Sequence, residues 1–296
     1  MKHTPQSLLE RAAELYDFGA ALRAPAAEPA PVAEPAQEPV LRVVPAVQPP
    51  VTPAPCSGSV AEIDRAALAA AGFIVAEGPG SAIAEEFRLI KHQLLADIER
   101  SDERSVLVAS AQPKAGKTFC AINLALSLAG ERDVEILLVD GDFLKPDALA
   151  TLGIDGAGPG FVDALADASA DPESLVIRTD VPGLSVLPAG RKANNVPELL
   201  ASDRTREVLA KLAAGDRRRI ILFDSPPALM ASHATVLAGH VGRALVVVRA
   251  DHTTEADLRE TIGLLQGCEI SLILNGAGLA VTGRKFGSYD GYGHDD

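Results

Sequence analysis

Six short apolar runs punctuate the chain, and longer stretches with helical spacing of apolar residues separate them. The runs are rich in Val, Ile and Leu, and they occupy residues 106–108, 134–139, 184–188, 220–223, 244–248 and 270–274. Helical patterns fall near residues 119–130, 161–167, 197–214 and 254–266. This alternation predicts an α/β fold with a mostly parallel sheet that is flanked by helices.

The first 59 residues have a different character from this α/β region. Residues 1–23 contain a short amphipathic helix, for which Ser7 and Glu10 fit a capping box and Gly19 fits a stop. The helix either docks on a partner or remains marginal, fraying or packing on its own domain, and both interpretations stay open. Residues 24–59 are rich in Ala and Pro, which predicts a disordered linker.

The main domain is predicted to span residues 60–276 and to begin with a helical segment, 60–103. Within this segment Glu85, Arg88 and Lys91 follow one another at steps of three. Such charges form either a solvated helix face with weak ion pairs or a self-association surface. The polar, Gly-rich residues 277–296 should form a flexible tail.

A phosphate-binding loop is predicted between the first apolar run and the helix after it. The loop ends in Gly116-Lys117-Thr118, and a loop between a strand and a helix directs backbone N–H groups at phosphates. Lys117 would reach the β- and γ-phosphates, and Thr118 would help to hold Mg²⁺. Two positions depart from the usual pattern: Ala111 replaces the first glycine, and Lys114 is a concern if its φ is positive.

Polar residues follow three further runs at the point where a strand would end. Asp140 and Asp142 follow the second run, and Asp224 follows the run at 220–223. Ligands bind at the carboxyl ends of parallel strands, and a buried strand that ends in Asp is typical of a Mg²⁺-associated carboxylate. Asn275 ends the last run, where it either contacts a nucleotide base or caps a turn.

Composition narrows the possible functions. A formal net charge of −13 argues against a general nucleic-acid surface. The three cysteines are scattered, without disulfide or metal-ligand spacing. No run of 18 apolar residues and no secretory signal is visible, so we expect a cytoplasmic protein. Two of the three tyrosines, Tyr289 and Tyr292, lie in the tail, where they have no core to fill.

The motifs together resemble those of the bacterial tyrosine kinases. SAQPKAGKT looks like the Walker A motif of that family, LLVDGDFLKP like its Walker A′ motif, and ILFDSPP like its Walker B motif. Stretches such as RTDVPGLSVLPAGR and QGCEISLILN are similar to the subgroup of tyrosine autokinases associated with exosortase and exopolysaccharide loci. The resemblance covers roughly residues 60–296 and implies a P-loop NTPase fold.

The resemblance also implies roles for individual residues. The catalytic residues would be Lys117, Asp140, Asp142 and Asp224. Mg²⁺ would be held by Thr118, Asp140 and Asp224. ATP would be contacted by Gln112, Pro113, Lys114, Ala115, Gly116, Lys117, Thr118, Phe119 and Asn275. Tyr289 and Tyr292 would accept phosphate from a neighbouring subunit. Glu85, Arg88 and Lys91 would form an oligomerisation motif, with lysine in place of the family's last arginine.

The expected function is that of an ATP- and Mg²⁺-dependent protein-tyrosine autokinase that regulates exopolysaccharide or capsule synthesis and export. Its activator would be the cytosolic segment of a membrane chain-length or co-polymerase protein, which would recruit it to the inner face of the plasma membrane. We expect a homo-oligomer without nucleic acid. Two alternatives remain: a nucleotide-gated, non-catalytic regulator of the same machinery, and a positioning ATPase of the ParA/MinD type.

Overall fold

The computed structural model describes residues 60–75, 81–155 and 158–277. The predicted N-terminal helix, the whole predicted linker and nearly all of the tail, including Tyr289 and Tyr292, lie outside the described residues. In the part of the chain that the structure describes, no helix has the length and apolar character needed to cross a membrane.

One seven-stranded sheet forms the centre of the domain, in the order β3-β4-β2-β5-β1-β6-β7. In chain order its strands are β1 Ser105–Ala109, β2 Glu135–Asp140, β3 Ile177–Arg178, β4 Leu184–Leu187, β5 Arg219–Asp224, β6 Arg243–Arg249 and β7 Glu269–Asn275. Every pairing is parallel except the short β3–β4 pair. The predicted α/β class and mostly parallel sheet are therefore confirmed.

Helices cover both faces of the sheet. They are α1 Arg65–Ala70, α2 Ala82–Ser101, α3 Lys117–Ala129, α4 Ala148–Thr151, α5 Phe161–Ala166, α6 Val196–Ala201, α7 Asp203–Gly215, α8 Ser232–Ala238 and α9 Glu255–Leu264. Alternate side chains of the central strands point to opposite faces. Val106 and Val108 join the cluster with α1, α2 and α3, whereas Leu107 and Ala109 join the cluster with α5 to α8.

Several predicted boundaries move. The helical pattern that starts near residue 60 becomes a helix only at Arg65, because Ala61 pairs with Thr179 and the Ile63 N–H donates to Asp180 (3.0 Å). The single helix predicted over 197–214 is two helices, since Ser202 between them has an extended backbone (ψ 159°). Helical spacing alone does not reveal such a break when both halves bury apolar residues.

The helix predicted in the 60–103 segment is confirmed as α2. Its apolar side is as predicted: Phe87 and Leu94 are buried, and Ile83, Ile90 and Leu95 are partly buried. Lys91 also lies on this side, almost fully buried, and its Nζ pairs with Glu131 Oε1 at 2.6 Å. The long aliphatic stem of lysine allows this placement, because the charged end still reaches a carboxylate.

Candidate active site

Strand order places the sequence-predicted motifs next to one another. β5 lies between β1 and β2, so the loop after β1 and the aspartates at the ends of β2 and β5 share one edge of the sheet. Asp140 and Asp224 are direct register partners, and Val108 of β1 is the partner of Asp224 on the other side. The site thus follows from three adjacent parallel strands that end together.

The phosphate loop joins β1 to α3 with an unusual backbone. Gly116, at the helix N-cap, has φ 96°, and a Cβ at this position would lie 2.1 Å from Asn275 Nδ2. Lys114 also has a positive φ, 61°, in the region that disfavours residues with a Cβ. The concern raised by the sequence is therefore real, because lysine stands where the loop requires a left-handed residue.

Side chains from three other elements hold this loop in place. Arg249, at the end of β6, donates from Nη1 to the Lys114 carbonyl at 2.5 Å. Asn275, at the end of β7, donates from Nδ2 to the Ala115 carbonyl at 2.8 Å. Gln112 donates from Nε2 to Oδ2 of Asp257, the third residue of α9, at 2.8 Å. These contacts are made by protein groups alone and hold the loop in this conformation.

The segment after β5 braces the loop from the opposite side. Ser225 donates through Oγ to the Val108 carbonyl at 2.9 Å. The N–H of Ala228 donates to the Ser110 carbonyl at 2.8 Å. The two stretches predicted to contact phosphate and metal are thereby connected by one side-chain and one backbone hydrogen bond.

Asp140 and Asp224 form a buried pair of carboxylates, each only 1% exposed. Asp140 accepts from the N–H of Ala148 at 3.0 Å, whereas Asp224 Oδ1 has no hydrogen-bond partner in the described part of the chain. Burial raises the pKa of both groups to about 7, and for Asp140 the neighbouring Asp224 adds to the effect. A buried oxygen without a partner beside a second carboxylate is a place where a cation would be stabilised.

Gly141 allows the chain to turn between these carboxylates and Asp142. Its N–H donates to the Asp224 carbonyl at 2.7 Å, and a Cβ there would approach that oxygen to 2.8 Å. The turn leaves Asp142 partly exposed at the edge of the site, where its Oδ1 accepts from the N–H of Lys145 at 3.1 Å. The Asp-Gly-Asp sequence therefore provides one buried and one accessible carboxylate.

Lys117 and Thr118 begin α3 beside the carboxylates. Burial lowers the pKa of Lys117, while the charges of Asp224 and Asp142 oppose that shift. The side chain of Thr118 is hydrogen-bonded to Asp224, which partly offsets the effect of burial on the Asp224 pKa. Lys117, Thr118 and the three aspartates therefore form one electrostatically coupled group.

Other predicted site residues have different surroundings. The ring of Phe119 lies 4.8 Å from that of Phe73 and 6.3 Å from that of Phe87, so its side chain belongs to the core. Its contact with ATP stays a prediction for the backbone alone. Asn275 already supports the loop, and its contact with a base stays a prediction. Glu85 and Arg88 pair with each other on the exposed side of α2, away from the buried Lys91.

Three residues near the site were missed by sequence reasoning. Arg249 ends a strand in the same way as Asp140, and that signal could have identified it. Asp257 lies in a Thr-x-x-Asp capping box, which marks a helix start but does not reveal its contact with Gln112. His233 is 8% exposed, its ring centroid is 5.7 Å from that of Phe143, and its Nδ1 has no hydrogen-bond partner among the described residues.

A braced phosphate loop, a lysine and a threonine at the start of a helix, and strand-end carboxylates define a P-loop NTPase fold. No family model matches the chain. The relative named "Putative tyrosine-protein kinase EpsB" of Ralstonia nicotianae is 32% identical over 190 residues, covering 64% of this chain and 24% of that protein. Tyrosine-protein kinase YwqD of Bacillus subtilis is 27% identical over 217 residues, covering 73% of this chain and 87% of that protein.

Solved structures agree with the sequence relatives. The kinase domain of VpsO is 36% identical and has a TM-score of 0.58, covering 66% of this chain and 95% of that domain. The chain belongs to the bacterial tyrosine kinase family. It spans about a quarter of the length of EpsB, since the match covers 24% of that relative. The more specific resemblance to exosortase-associated autokinases stays a prediction.

Proposed function

We propose that the chain is an ATP- and Mg²⁺-dependent protein-tyrosine autokinase that acts in exopolysaccharide or capsule synthesis and export. The observation that carries this proposal is the convergence of Lys117 and Thr118 with Asp140, Asp142 and Asp224 at one edge of the sheet. The names of EpsB and YwqD as tyrosine-protein kinases, and the kinase domain of VpsO, support the same reaction class.

The residues fit a nucleotide-bound magnesium ion. Asp224 offers a buried, unpartnered oxygen, Thr118 offers a hydroxyl beside it, and Asp140 adds a second carboxylate. Among the described residues no group of three or more His, Cys, Asp or Glu side chains is arranged to hold a metal. This suits Mg²⁺, which usually binds through one or two carboxylates together with substrate phosphates. When bound, Mg²⁺ would neutralise charge on the transferred phosphoryl group.

The protein groups then orient the reaction. Backbone N–H groups of the loop and the Lys117 ammonium hold the β- and γ-phosphates in line with the acceptor. A tyrosine hydroxyl has a pKa of about 10 and needs a proton acceptor to attack well at neutral pH. The accessible carboxylate of Asp142 would take that proton. The phenol oxygen bonds to the γ-phosphorus, the bond from that phosphorus to the β–γ bridging oxygen breaks, and ADP leaves.

Regulation is proposed to act through Tyr289, Tyr292 and a separate activator. Each phosphate adds roughly −1.5 to −2 charge to a tail that is already acidic. Repulsion between such tails would favour disassembly of the oligomer, to which Glu85, Arg88 and Lys91 are proposed to contribute. The activator is proposed to be the cytosolic segment of a membrane chain-length or co-polymerase protein. Residues 1–23 are a candidate for binding this activator, which would recruit the kinase to the inner face of the plasma membrane.

Intact-mass and phosphopeptide analysis after incubation with Mg·ATP tests this function. Phosphate should appear on Tyr289 and Tyr292, and it should be absent from the Lys117→Met variant and from a Tyr289→Phe/Tyr292→Phe variant. Lys211→Met, at an exposed position of α7, is the matched control and should retain phosphorylation. Absence of phosphate on the unsubstituted protein, even with a candidate activator fragment, would contradict the proposal.

Two other functions make different predictions. A nucleotide-gated regulator would bind Mg·ATP and change its oligomeric state without transferring phosphate to tyrosine. A ParA/MinD-type ATPase would release inorganic phosphate, but such proteins resemble GKGGVGKT with a signature lysine at the position that Gln112 occupies here. Since Gln112 is instead bound to Asp257, we place this function behind the kinase.

A further inference from the structure

Two large aliphatic side chains are exposed to solvent in the segments that follow Asp142 and Asp224. Leu144 is 60% exposed and lies two residues after Asp142. Met230 is 67% exposed and lies in the segment that follows Asp224. Consecutive Cα atoms limit the backbone distance from Asp142 to Leu144 to about 7 Å. We call Leu144 and Met230 the apolar rim of the site.

An aromatic column connects the segments that carry the rim. Phe223, which precedes Asp224, lies 5.6 Å from Phe161, and Phe161 lies 6.2 Å from Phe143, measured between ring centroids. Phe143 in turn contacts His233, three residues after Met230, at a centroid distance of 5.7 Å. Because Phe143 and His233 are packed together, the segments that carry Leu144 and Met230 lie next to each other, and His233 is close enough to Asp142 for that charge to affect its pKa.

The tail sequence offers a complementary ligand for this rim. Phe286 lies three residues before Tyr289, and Arg284 and Lys285 precede it directly. An apolar ring suits the rim, and the two cations suit a cluster of aspartates. An extended three-residue step spans about 10 Å, whereas the six residues from Phe286 to Tyr292 span about 20 Å. Tyr289 therefore matches the short distance from Leu144 to Asp142 better than Tyr292 does.

We propose that Leu144 and Met230 form a docking site for Phe286 of a second copy of this chain, which selects Tyr289 over Tyr292 as the acceptor. This inference rests on the proposed kinase function and adds the substrate selectivity of its site.

The sheet order favours a second copy over the chain's own tail. The chain reaches the tail sequence directly after β7, which ends at Asn275, whereas the rim follows β2 and β5, and β2 lies four strands from β7. Four strand spacings amount to about 19 Å. On that path the chain's own tail would cross the mouth of the phosphate loop, where Asn275 is bound to Ala115. A tail from another molecule can approach the rim without crossing the nucleotide.

A transfer experiment between two proteins tests the docking site. The donor carries Tyr289→Phe and Tyr292→Phe, and the acceptor carries Lys117→Met, so each phosphopeptide reports transfer between molecules. Leu144→Gln and Met230→Gln are introduced in the donor and Phe286→Ala in the acceptor. Leu272→Gln, on a leucine of β7 that is 54% exposed, is the matched donor control. Initial rates at Tyr289 and Tyr292 are measured separately.

Each rim substitution should lower transfer to Tyr289 about tenfold, as expected for losing the contact of one aromatic side chain. Phe286→Ala should cause the same loss, and combining it with a rim substitution should add little, because both remove one contact. Leu272→Gln should transfer normally. Independent, multiplicative losses, or normal transfer by both rim variants, would overturn the docking site. If phosphate is transferred only within one molecule, a second copy of the chain is not the occupant of the docking site.

Peptide binding separates this inference from the kinase function. A fluorescent peptide of residues 282–296 should bind the donor in the presence of Mg²⁺ and a non-hydrolysable ATP analogue, and it should bind the rim variants about tenfold more weakly. If this result appears without any phosphotransfer, the kinase function fails and the docking site stands. If phosphate is transferred but the rim variants bind the peptide as tightly as the unsubstituted donor does, the docking site is wrong and the kinase function stands. Unchanged affinity for the ATP analogue verifies that the variants are folded.

Discussion

The two halves of the candidate site are built on opposite principles. The phosphate loop is held by hydrogen bonds from Arg249 and Asn275 to its carbonyls and by the bond that its own Gln112 donates to Asp257. The carboxylate half has Asp140 and Asp224 buried side by side, and Asp224 Oδ1 lacks a hydrogen-bond partner within the described residues. The backbone of the first half is held by protein groups, whereas the second half is stabilised when its carboxylates take up protons or bind a cation.

This difference assigns distinct physical tasks to the two halves. A fixed loop lowers the entropic cost of ordering the phosphates, so it should contribute mainly to nucleotide affinity. Burial raises the pKa of Asp140 and Asp224, and their charged forms destabilise the folded protein until they are protonated or neutralised by a cation. The buried carboxylates therefore lower the stability of the domain. We expect them to contribute mainly to the rate of phosphotransfer.

Substitution of Asp224 should have the largest effect. Asp224→Asn removes a charge from the proposed metal site, and we expect phosphotransfer to fall about a hundredfold or more. The same substitution removes an unfavourable buried charge, so the ligand-free protein should become more stable to heat. Tyrosine phosphorylation rates and thermal unfolding measure the two effects. A variant that loses activity and stability together would show that Asp224 is mainly structural.

The pH dependence of stability should be the next largest effect. Folding raises the pKa of Asp140 and Asp224 from 3.8 to about 7, so the folded state binds more protons between these values. The free energy of unfolding should therefore fall as the pH rises from about 4 to about 7, and level off above that. Each kcal/mol lost lowers Tm by about 2–4 °C in a domain of this size.

Mg²⁺ with a non-hydrolysable ATP analogue should remove most of this pH dependence, because the cation takes over the role of the protons. Removal of the metal with a chelator should restore it. In the Asp224→Asn variant, the stability of the ligand-free protein should depend much less on pH. A ligand-free Tm that does not change over this range would contradict the raised pKa values.

Loosening the phosphate loop should have a smaller and different effect. Arg249→Ala and Asn275→Ala each remove one hydrogen bond to a loop carbonyl, which is worth about 1 kcal/mol. We expect ATP affinity to fall roughly five- to tenfold, with a smaller change in the rate at saturating ATP. Arg259→Ala, which removes an exposed ion pair with Glu255, is the matched control and should bind normally. If these variants changed the rate of phosphotransfer but not the affinity for ATP, the proposed division of tasks between the two halves would be wrong.

The smallest effect is expected at Lys114. Lys114→Gly relieves the left-handed conformation but increases the freedom of the unfolded chain, so the net gain should be at most about 1 kcal/mol. Lys114→Ala keeps the unfavourable conformation and should bring no gain. Chemical denaturation compares the two. A loss of stability in Lys114→Gly would mean that the lysine side chain makes a compensating contact.

The fold class and the central motifs could be predicted from the amino-acid sequence. Buried apolar runs that end in Asp140, Asp224 and Asn275 predict parallel strands whose polar ends share an edge, because strand period and strand-end chemistry are local properties. The loop between a strand and a helix gave Lys117 and Thr118 in the same way. These predictions needed only residues that are close together in the chain.

Only the tertiary structure decided which distant residues complete the site. The contact of Gln112 with Asp257 and that of Arg249 with Lys114 join residues more than 130 positions apart. The burial of Lys91 against Glu131 and the unpartnered oxygen of Asp224 were equally invisible in the sequence. The positive φ of Lys114 was a concern raised by the motif, but only the structure shows it. Each depends on how the strands are ordered and how the helices pack, and neither periodicity nor motif spacing encodes that arrangement.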